Sequence, residues 1–134
     1  MKKIILDTNF YVAFKRGDKK AVETIQRAEL LAVNAVVVGE LLAGFRCGNR
    51  QRQNRDELEA FLDSPRVEFL PVEEETAEFY AQIFAELKLR GRPIPTNDLW
   101  VAASAMQHGL ALATYDDHFS SVSGLLLVEK ILNP

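Results

Sequence analysis

Short segments rich in apolar residues alternate with longer amphipathic stretches along this 134-residue chain. The first of them, "KKIIL", runs without polar alternation up to Asp7, a pattern typical of a strand buried on both faces of a parallel sheet. Similar short segments predict further strands, which with the first occupy residues 2–6, 30–33, 67–72, 110–114 and 125–129.

The stretches between these segments predict helices, because their apolar residues recur at helical spacing and their ends carry capping residues. Asn34 can cap one helix, and Gly17, Gly91 and Gly109 follow the ends of others. The predicted helices cover residues 9–17, 18–30, 35–48, 50–64, 73–90 and 97–108. Alternating strands and helices predict one α/β domain over residues 1–134, with helices on both faces of a parallel sheet of four to five strands.

Composition narrows the class of protein without naming a function. The chain is 48% hydrophobic and 26% charged, as expected for an ordinary folded domain. Its single cysteine, Cys47, can form no internal disulfide, so a reducing cytoplasm is the expected location. The apolar run before Asp7 is too short for a signal peptide or a membrane span.

Two acidic residues directly follow predicted strands, Asp7 in "LDTN" and Asp116 in "ATYDD". In open parallel sheets, ligands bind outside the carboxyl ends of the strands, where the strand order reverses. Both carboxylates are therefore expected in one crevice. An aspartate after a strand is also a common turn or cap residue, so each one alone is weak evidence.

Two further acids lie on predicted helices beside apolar residues. Glu40 shares its helical face with Val36, Val37, Ala43 and Gly44 and with no basic residue. A carboxylate on such a stripe requires a partner, and a cation is one candidate; partial exposure or a distant Lys or Arg is the alternative. Asp98 lies in the first turn of its helix, where capping offers a second explanation.

Four clustered carboxylates would repel one another at neutral pH unless a cation binds among them. Oxygen-only ligands, with no histidine or cysteine needed, favour Mg²⁺ or Mn²⁺, and such sites suit hydrolysis of phosphodiester bonds by metal-activated water. Asp7 is the expected central ligand, and Asp98 and Asp116 are expected to share the metal. Glu40 either binds metal or orients the attacking water.

The four acids lie in four ordered motifs, and on these the chain resembles PIN-domain ribonucleases, among them the VapC-type toxins of bacterial and archaeal toxin–antitoxin pairs. The motifs are "LDTNF" at 6–10, "GELLAG" at 39–44, "IPTNDLWVAASA" at 94–105 and "ATYDDHF" at 113–119. The resemblance implies a three-layer α/β/α PIN-like fold in which Asp7, Glu40, Asp98 and Asp116 form the acidic site.

The resemblance also implies supporting roles and partners. It implies that Asn9 and Thr114 support the site, and it favours Asp116 over Asp117 because the family's last acid lies two residues after a Ser or Thr. Thr8 and Thr96, which lie in the same motifs, are further candidates for such support. The implied partners are structured RNA such as tRNA or rRNA, a VapB-type antitoxin with a basic tail, and a second copy of the chain.

A net charge of −3 does not exclude RNA binding, because the four proposed ligands account for part of the 19 acids. Without them, 15 acidic residues face 16 basic ones. Two basic runs are candidate phosphate contacts as a patch, although a solvated helix face or loop is the better explanation for any single residue. They contain Lys15, Arg16, Arg46, Arg50 and Arg52. We expect His118 to have a packing or surface role, and Trp100 to lie in the core or an interface.

Three alternatives stay open at the level of sequence. A receiver domain also carries a Mg²⁺ site on a parallel sheet, but it needs an acid pair after the first strand, where Asp7 stands alone. A PIN-like protein could process RNA without an antitoxin, or it could serve as a binding scaffold without turnover.

Overall fold

The computed structural model describes residues 2–128, which contain four strands and six α-helices. The strands are β1 (Lys3–Leu6), β2 (Leu30–Asn34), β3 (Val67–Leu70) and β4 (Ala111–Ala113). The helices are α1 (Thr8–Lys15), α2 (Lys19–Arg27), α3 (Ala35–Cys47), α4 (Gln51–Asp63), α5 (Glu74–Leu89) and α6 (Thr96–His108), and a 3₁₀ turn covers Asp117–Ser121. Within these residues, every helix is too short or too polar to cross a lipid bilayer.

The strands form one parallel sheet in the order β3-β2-β1-β4. Strand β1 is central, and its Ile5 pairs with Ala32 of β2 on one side and with Leu112 of β4 on the other. The chain adds strands in one direction from β1 to β3 and then returns to add β4 on the opposite edge. The strand order therefore reverses between β1 and β4, which creates a crevice at their carboxyl ends.

The predicted fifth strand at 125–129 does not form as a strand within the described residues. Leu127 makes a single parallel bridge with Leu112, and the amide of Leu112 donates to the carbonyl of Leu126 over 2.8 Å. The ladder ends there because the backbone is already helical at Val128. Residue 129, the last of the predicted strand, lies outside the described part of the chain.

The core lies between the sheet and the helices. Ile5 and Leu6 of β1 and Leu112 and Ala113 of β4 are fully buried, as expected for strands of a parallel sheet that is covered on both faces. Helix α6 contributes mainly small residues to this core, and these allow close packing of its backbone. They are Val101, Ala102, Ala103, Ser104 and Ala105.

Helix ends follow the predicted signals with one exception. Gly109 has φ 65° after α6, a left-handed conformation that favours glycine at a helix end. Helix α2 ends at Arg27, although we predicted helix as far as residue 30. The backbone leaves the helix there because it pairs with the segment before β1: the amide of Glu29 donates to the carbonyl of Lys2 over 2.9 Å, and β2 begins at Leu30.

A buried asparagine connects the two helices that carry Glu40 and Asp98. The side-chain oxygen of Asn34 caps α3 by accepting from the amide of Val37 over 3.0 Å. Its amide group donates to the hydroxyl of Ser104 over 3.0 Å and to the carbonyl of Trp100 over 3.2 Å. Because Asn34, Val37 and Ser104 are fully buried, these hydrogen bonds fix the start of α3 against α6.

Candidate metal centre

The four predicted acids come from four different parts of the chain and lie close enough together that their charges perturb the pKa values of Asp7 and Asp98. Asp7 links β1 to α1, Glu40 lies in α3, Asp98 lies in the first turn of α6, and Asp116 follows β4. The charges of Asp98 and Asp116 raise the pKa of Asp7, and those of Asp116 and Glu40 raise the pKa of Asp98. The crevice predicted between β1 and β4 is therefore acidic.

Asp7 is the most buried of the four, with 5% of its surface exposed. One carboxylate oxygen caps α1 by accepting from the amide of Phe10 over 2.9 Å, and the other accepts from the hydroxyl of Thr114. Burial is the main cause that raises the pKa of Asp7, and these two hydrogen bonds oppose it. Thr114 also accepts from the amide of Asp116 over 2.9 Å, so one hydroxyl positions both strand ends.

Glu40 is half-buried, and neutral donors hold both of its oxygens. The hydroxyl of Thr8 donates to one oxygen and the side-chain amide of Asn97 to the other, each over 2.6 Å. The prediction of an apolar stripe around Glu40 is only partly correct, because Ala43 and Gly44 on that stripe are exposed. Neutral hydrogen bonds orient the carboxylate and leave its negative charge uncompensated.

His118 lies between Asp98 and Asp116, a position that corrects the predicted packing or surface role. Its Nε2 is 2.7 Å from Oδ2 of Asp98, and its Nδ1 is 3.0 Å from Oδ1 of Asp116. Burial is the main cause that raises the pKa of Asp98, and the hydrogen bond and charge of His118 oppose that rise. The sequence signal for this position is the short spacing: His118 follows Asp116 by two residues, so its ring can lie close to that carboxylate.

Among the predicted supporting residues, Thr114 contacts Asp7 directly, whereas Asn9 is exposed in the first turn of α1. None of the hydrogen bonds described within residues 2–128 joins Asn9 to the four acids. The neighbouring Thr8 makes the contact with Glu40 instead. Asn97, which sequence reasoning treated only as the start of a helix, is the other residue that was missed.

The arrangement also separates the two candidate acids of the last motif. The carboxylate of Asp116 contacts His118 and influences the pKa values of Asp7 and Asp98. Asp117 begins the 3₁₀ turn, where its main-chain carbonyl accepts from the hydroxyl of Ser120 over 2.8 Å. The geometry favours Asp116 as the member of the site.

The donor set fits a divalent cation. One ligand atom each from Asp98, Asp116 and His118 can be chosen so that all lie within 4.8 Å of one another. Ligands about 2.1 Å from one ion are separated by about 3 to 4 Å, so a small closure of the three side chains would suffice. Among the described interactions, the charges that perturb Asp7 are other carboxylates, and a bound cation would reverse that repulsion.

Comparison with known proteins assigns the chain to a family. The family model of the PIN domain matches residues 4–125, which is nearly the whole described region. The chain belongs to the PIN domain family. The resemblance expected from the four acidic motifs, and the α/β/α fold that it implies, are thereby confirmed.

Its PIN relatives include proteins named as VapC ribonucleases. Ribonuclease VapC5 of Mycobacterium tuberculosis is 28% identical over 95% of this chain and 93% of its own length. The VapC ribonuclease Y4jK of Sinorhizobium fredii is 33% identical over 98% of this chain and 96% of its own. A solved structure of DNA-bound VapBC from Salmonella typhimurium matches with a TM-score of 0.84 and 25% identity, covering 95% and 97% of the two chains.

Three of the five basic residues predicted to contact RNA line one groove of this PIN domain. The groove has a volume of about 510 Å³. Its basic residues are Lys15, Arg16 and Arg50, against which Glu57 places one carboxylate 3.6 Å from the Lys15 ammonium group. Tyr11 also lines it; burial, together with the charge of Glu57, raises the pKa of Tyr11 to about 12. The groove therefore carries a net positive charge.

The other two basic residues, Arg46 and Arg52, do not line this groove. Arg46 is exposed in the last turn of α3, and Arg52 is exposed near the start of α4. Both lie on the elements that flank the groove. Residues of the two predicted basic runs thus meet in one groove, and Arg46 and Arg52 are exposed outside it.

Proposed function

We propose that this PIN-domain protein is a metal-dependent endoribonuclease and the toxin of a VapBC-type toxin–antitoxin pair. The observation that carries the proposal is the convergence of four acids from four elements at the crevice between β1 and β4. The names of the VapC relatives support the ribonuclease activity, and the VapBC neighbour supports an antitoxin partner. The reaction is hydrolysis of an RNA phosphodiester bond.

Asp7, Asp98 and Asp116 are the residues that would hold Mg²⁺ or Mn²⁺. A bound ion of this kind lowers the pKa of its water and stabilises negative charge on phosphate oxygens. The chain's own contribution is to fix the carboxylates. The Phe10 amide and the Thr114 hydroxyl hold both oxygens of Asp7, and Thr114 also anchors the backbone at Asp116.

Glu40 is suited to orient the attacking water. Each of its oxygens accepts one neutral hydrogen bond, from Thr8 or Asn97, and each keeps a lone pair that can accept from a water molecule. The fixed orientation restricts the direction from which that water can reach the phosphorus atom. We assign Glu40 this role, in which its fixed carboxylate accepts a hydrogen bond from the water.

The substrate and partners follow from the family resemblance and from the basic groove. Lys15, Arg16 and Arg50 would contact phosphates of a structured RNA such as tRNA or rRNA, with Arg46 and Arg52 as flanking contacts. A VapB-type antitoxin would inhibit the enzyme, and two copies of the chain would form a homodimer. The exposed free thiol of Cys47 is compatible with a cytoplasmic location, which stays a prediction.

The test is an RNA cleavage assay with purified protein, free of antitoxin, in buffer with Mg²⁺ or Mn²⁺. We expect cleavage by the wild type and by D117N, which changes an exposed acid next to the site. We expect a loss of about 100-fold or more for D7N, and loss in the wild type after chelation. Equal cleavage by D7N would indicate a contaminating nuclease, and no cleavage of several RNAs would favour a binding scaffold.

A further inference from the structure

We propose that His118 supplies a nitrogen ligand to the metal centre and thereby gives the site a preference for Mn²⁺ over Mg²⁺. This inference rests on the proposed metal-dependent function and names one ligand and one consequence. The four-carboxylate site predicted from the sequence contains only oxygen ligands. A nitrogen ligand changes the class of ion that the site selects.

The position of the ring carries the argument. His118 lies between two carboxylates from different elements, with Nε2 2.7 Å from Asp98 and Nδ1 3.0 Å from Asp116. Asp98 belongs to α6 and Asp116 follows β4, so the ring bridges two sides of the crevice. An ion held by both carboxylates would lie within reach of a ring nitrogen. Binding would replace that nitrogen's contact with a carboxylate by a bond to the ion and would release the nitrogen's proton to solvent, while the other ring nitrogen keeps its carboxylate partner.

The ring is also held in place by its neighbours. His118 lies in the 3₁₀ turn Asp117–Ser121, next to the fully buried Phe119. The two rings are in contact, with centroids 5.0 Å apart at an angle of 51°. The ring is half-buried, so it need not lose much conformational freedom to bind an ion.

Donor chemistry then predicts the preference. Mg²⁺ is a hard ion that takes oxygen ligands and retains several waters, whereas Mn²⁺ accepts imidazole nitrogen more readily. Two carboxylate oxygens and one imidazole nitrogen therefore favour Mn²⁺. In a merely structural role, by contrast, His118 would hold the two carboxylates together and would bind no ion.

Pulsed electron paramagnetic resonance of bound Mn²⁺ distinguishes these roles directly, without measuring activity. The chain has two histidines, His108 and His118, so labelling histidine with ¹⁵N marks few nuclei. The protein is prepared without a polyhistidine tag. We expect a ¹⁵N coupling to bound Mn²⁺ in the wild type and in H108Q, an exposed histidine at the end of α6, and no coupling in H118Q.

Calorimetric titration with Mn²⁺ and with Mg²⁺ measures the preference. In H118Q we expect the Mn²⁺ affinity to fall about 10-fold or more while the Mg²⁺ affinity changes much less; H108Q retains both affinities. Bound Mn²⁺ without ¹⁵N coupling in the wild type would overturn the role of His118 and leave the nuclease proposal intact. Absence of Mn²⁺ and Mg²⁺ binding would overturn both proposals, and metal binding without RNA cleavage would overturn only the nuclease.

Discussion

Replacing Asp7 by asparagine should abolish RNA cleavage and also stabilise the metal-free protein. The two effects have one cause. Asp7 is 5% exposed and lies near the charges of Asp98 and Asp116, so its ionised form is costly in the folded state. Asparagine has nearly the same shape and removes that charge, but it also removes a strong metal ligand.

The magnitude depends on which hydrogen bonds survive. The asparagine oxygen can still accept from the amide of Phe10, so the helix cap is retained. Its NH₂ group can donate to Thr114, whose oxygen has a second lone pair beside the one that accepts from the amide of Asp116. Little is lost, and we expect a gain of about 0.5 to 2 kcal/mol, as is common when a strained functional residue is replaced.

The pH dependence of stability provides a second test of whether D7N stabilises the metal-free protein. Because the folded-state pKa of Asp7 is raised above 3.8, the folded wild type binds this proton more tightly than the unfolded chain. The cost of ionised Asp7 is therefore fully present above the folded pKa and disappears as pH falls towards 3.8. The advantage of D7N should be greatest at neutral pH and should vanish in acid.

Urea unfolding in buffer with a chelator measures this difference, and thermal unfolding should show a shift of about 4 °C per kcal/mol. The control is D56N, which removes an exposed charge from α4 and should change the free energy of unfolding by less than about 0.5 kcal/mol. Added Mn²⁺ should stabilise the wild type much more than D7N. Destabilisation of D7N by 1 kcal/mol or more in metal-free buffer would mean that Asp7 is a structural cap.

Three further substitutions test individual contacts. T114V removes the donor to Asp7, and we expect a destabilisation of about 1 to 3 kcal/mol in urea unfolding, with reduced cleavage. N97D places a carboxylate against Glu40, and we expect reduced cleavage with a recovery at lower pH; an unchanged rate would exclude this contact. N34A removes the cap of α3 and its contacts with α6, and we expect urea unfolding to show a loss of about 2 to 3 kcal/mol.

The fold was predictable because local signals and global topology agree. Glu73, Glu74 and Glu75 begin α5 and Gly91 follows its end, as the sequence indicates. Alternation of strands and helices correctly predicted a parallel sheet. The errors concern short segments whose conformation is decided by tertiary pairing. One is the end of α2, where Glu29 pairs with the sheet, and the other is residues 125–128, where the chain makes one bridge at Leu127 and is helical at Val128.

The four acids of the site could be predicted from the sequence, but the residues that contact them, His118 and Asn97, could not. Asp7 and Asp116 follow strands, and this position is visible from the hydrophobic pattern alone. His118 and Asn97 act through contacts across 20 and 57 residues of sequence, and no periodicity relates them to Asp98 or Glu40. Their residue types also suit surface and capping positions, so a single sequence offers little to separate these roles.

The hydrogen-bond donors to Asp7 and Glu40 are neutral, and this explains how the acidic crevice can be ordered and still able to bind a cation. Thr8, Asn97 and Thr114 are neutral, and they hold Glu40 and Asp7 through contacts that span 32, 57 and 107 residues. An arginine in any of these places would satisfy the same oxygens more strongly, but its charge would occupy the position of the ion. At Asp7 and Glu40, neutral donors fix the carboxylates and add no positive charge, so repulsion among the acids remains that a bound divalent cation would relieve.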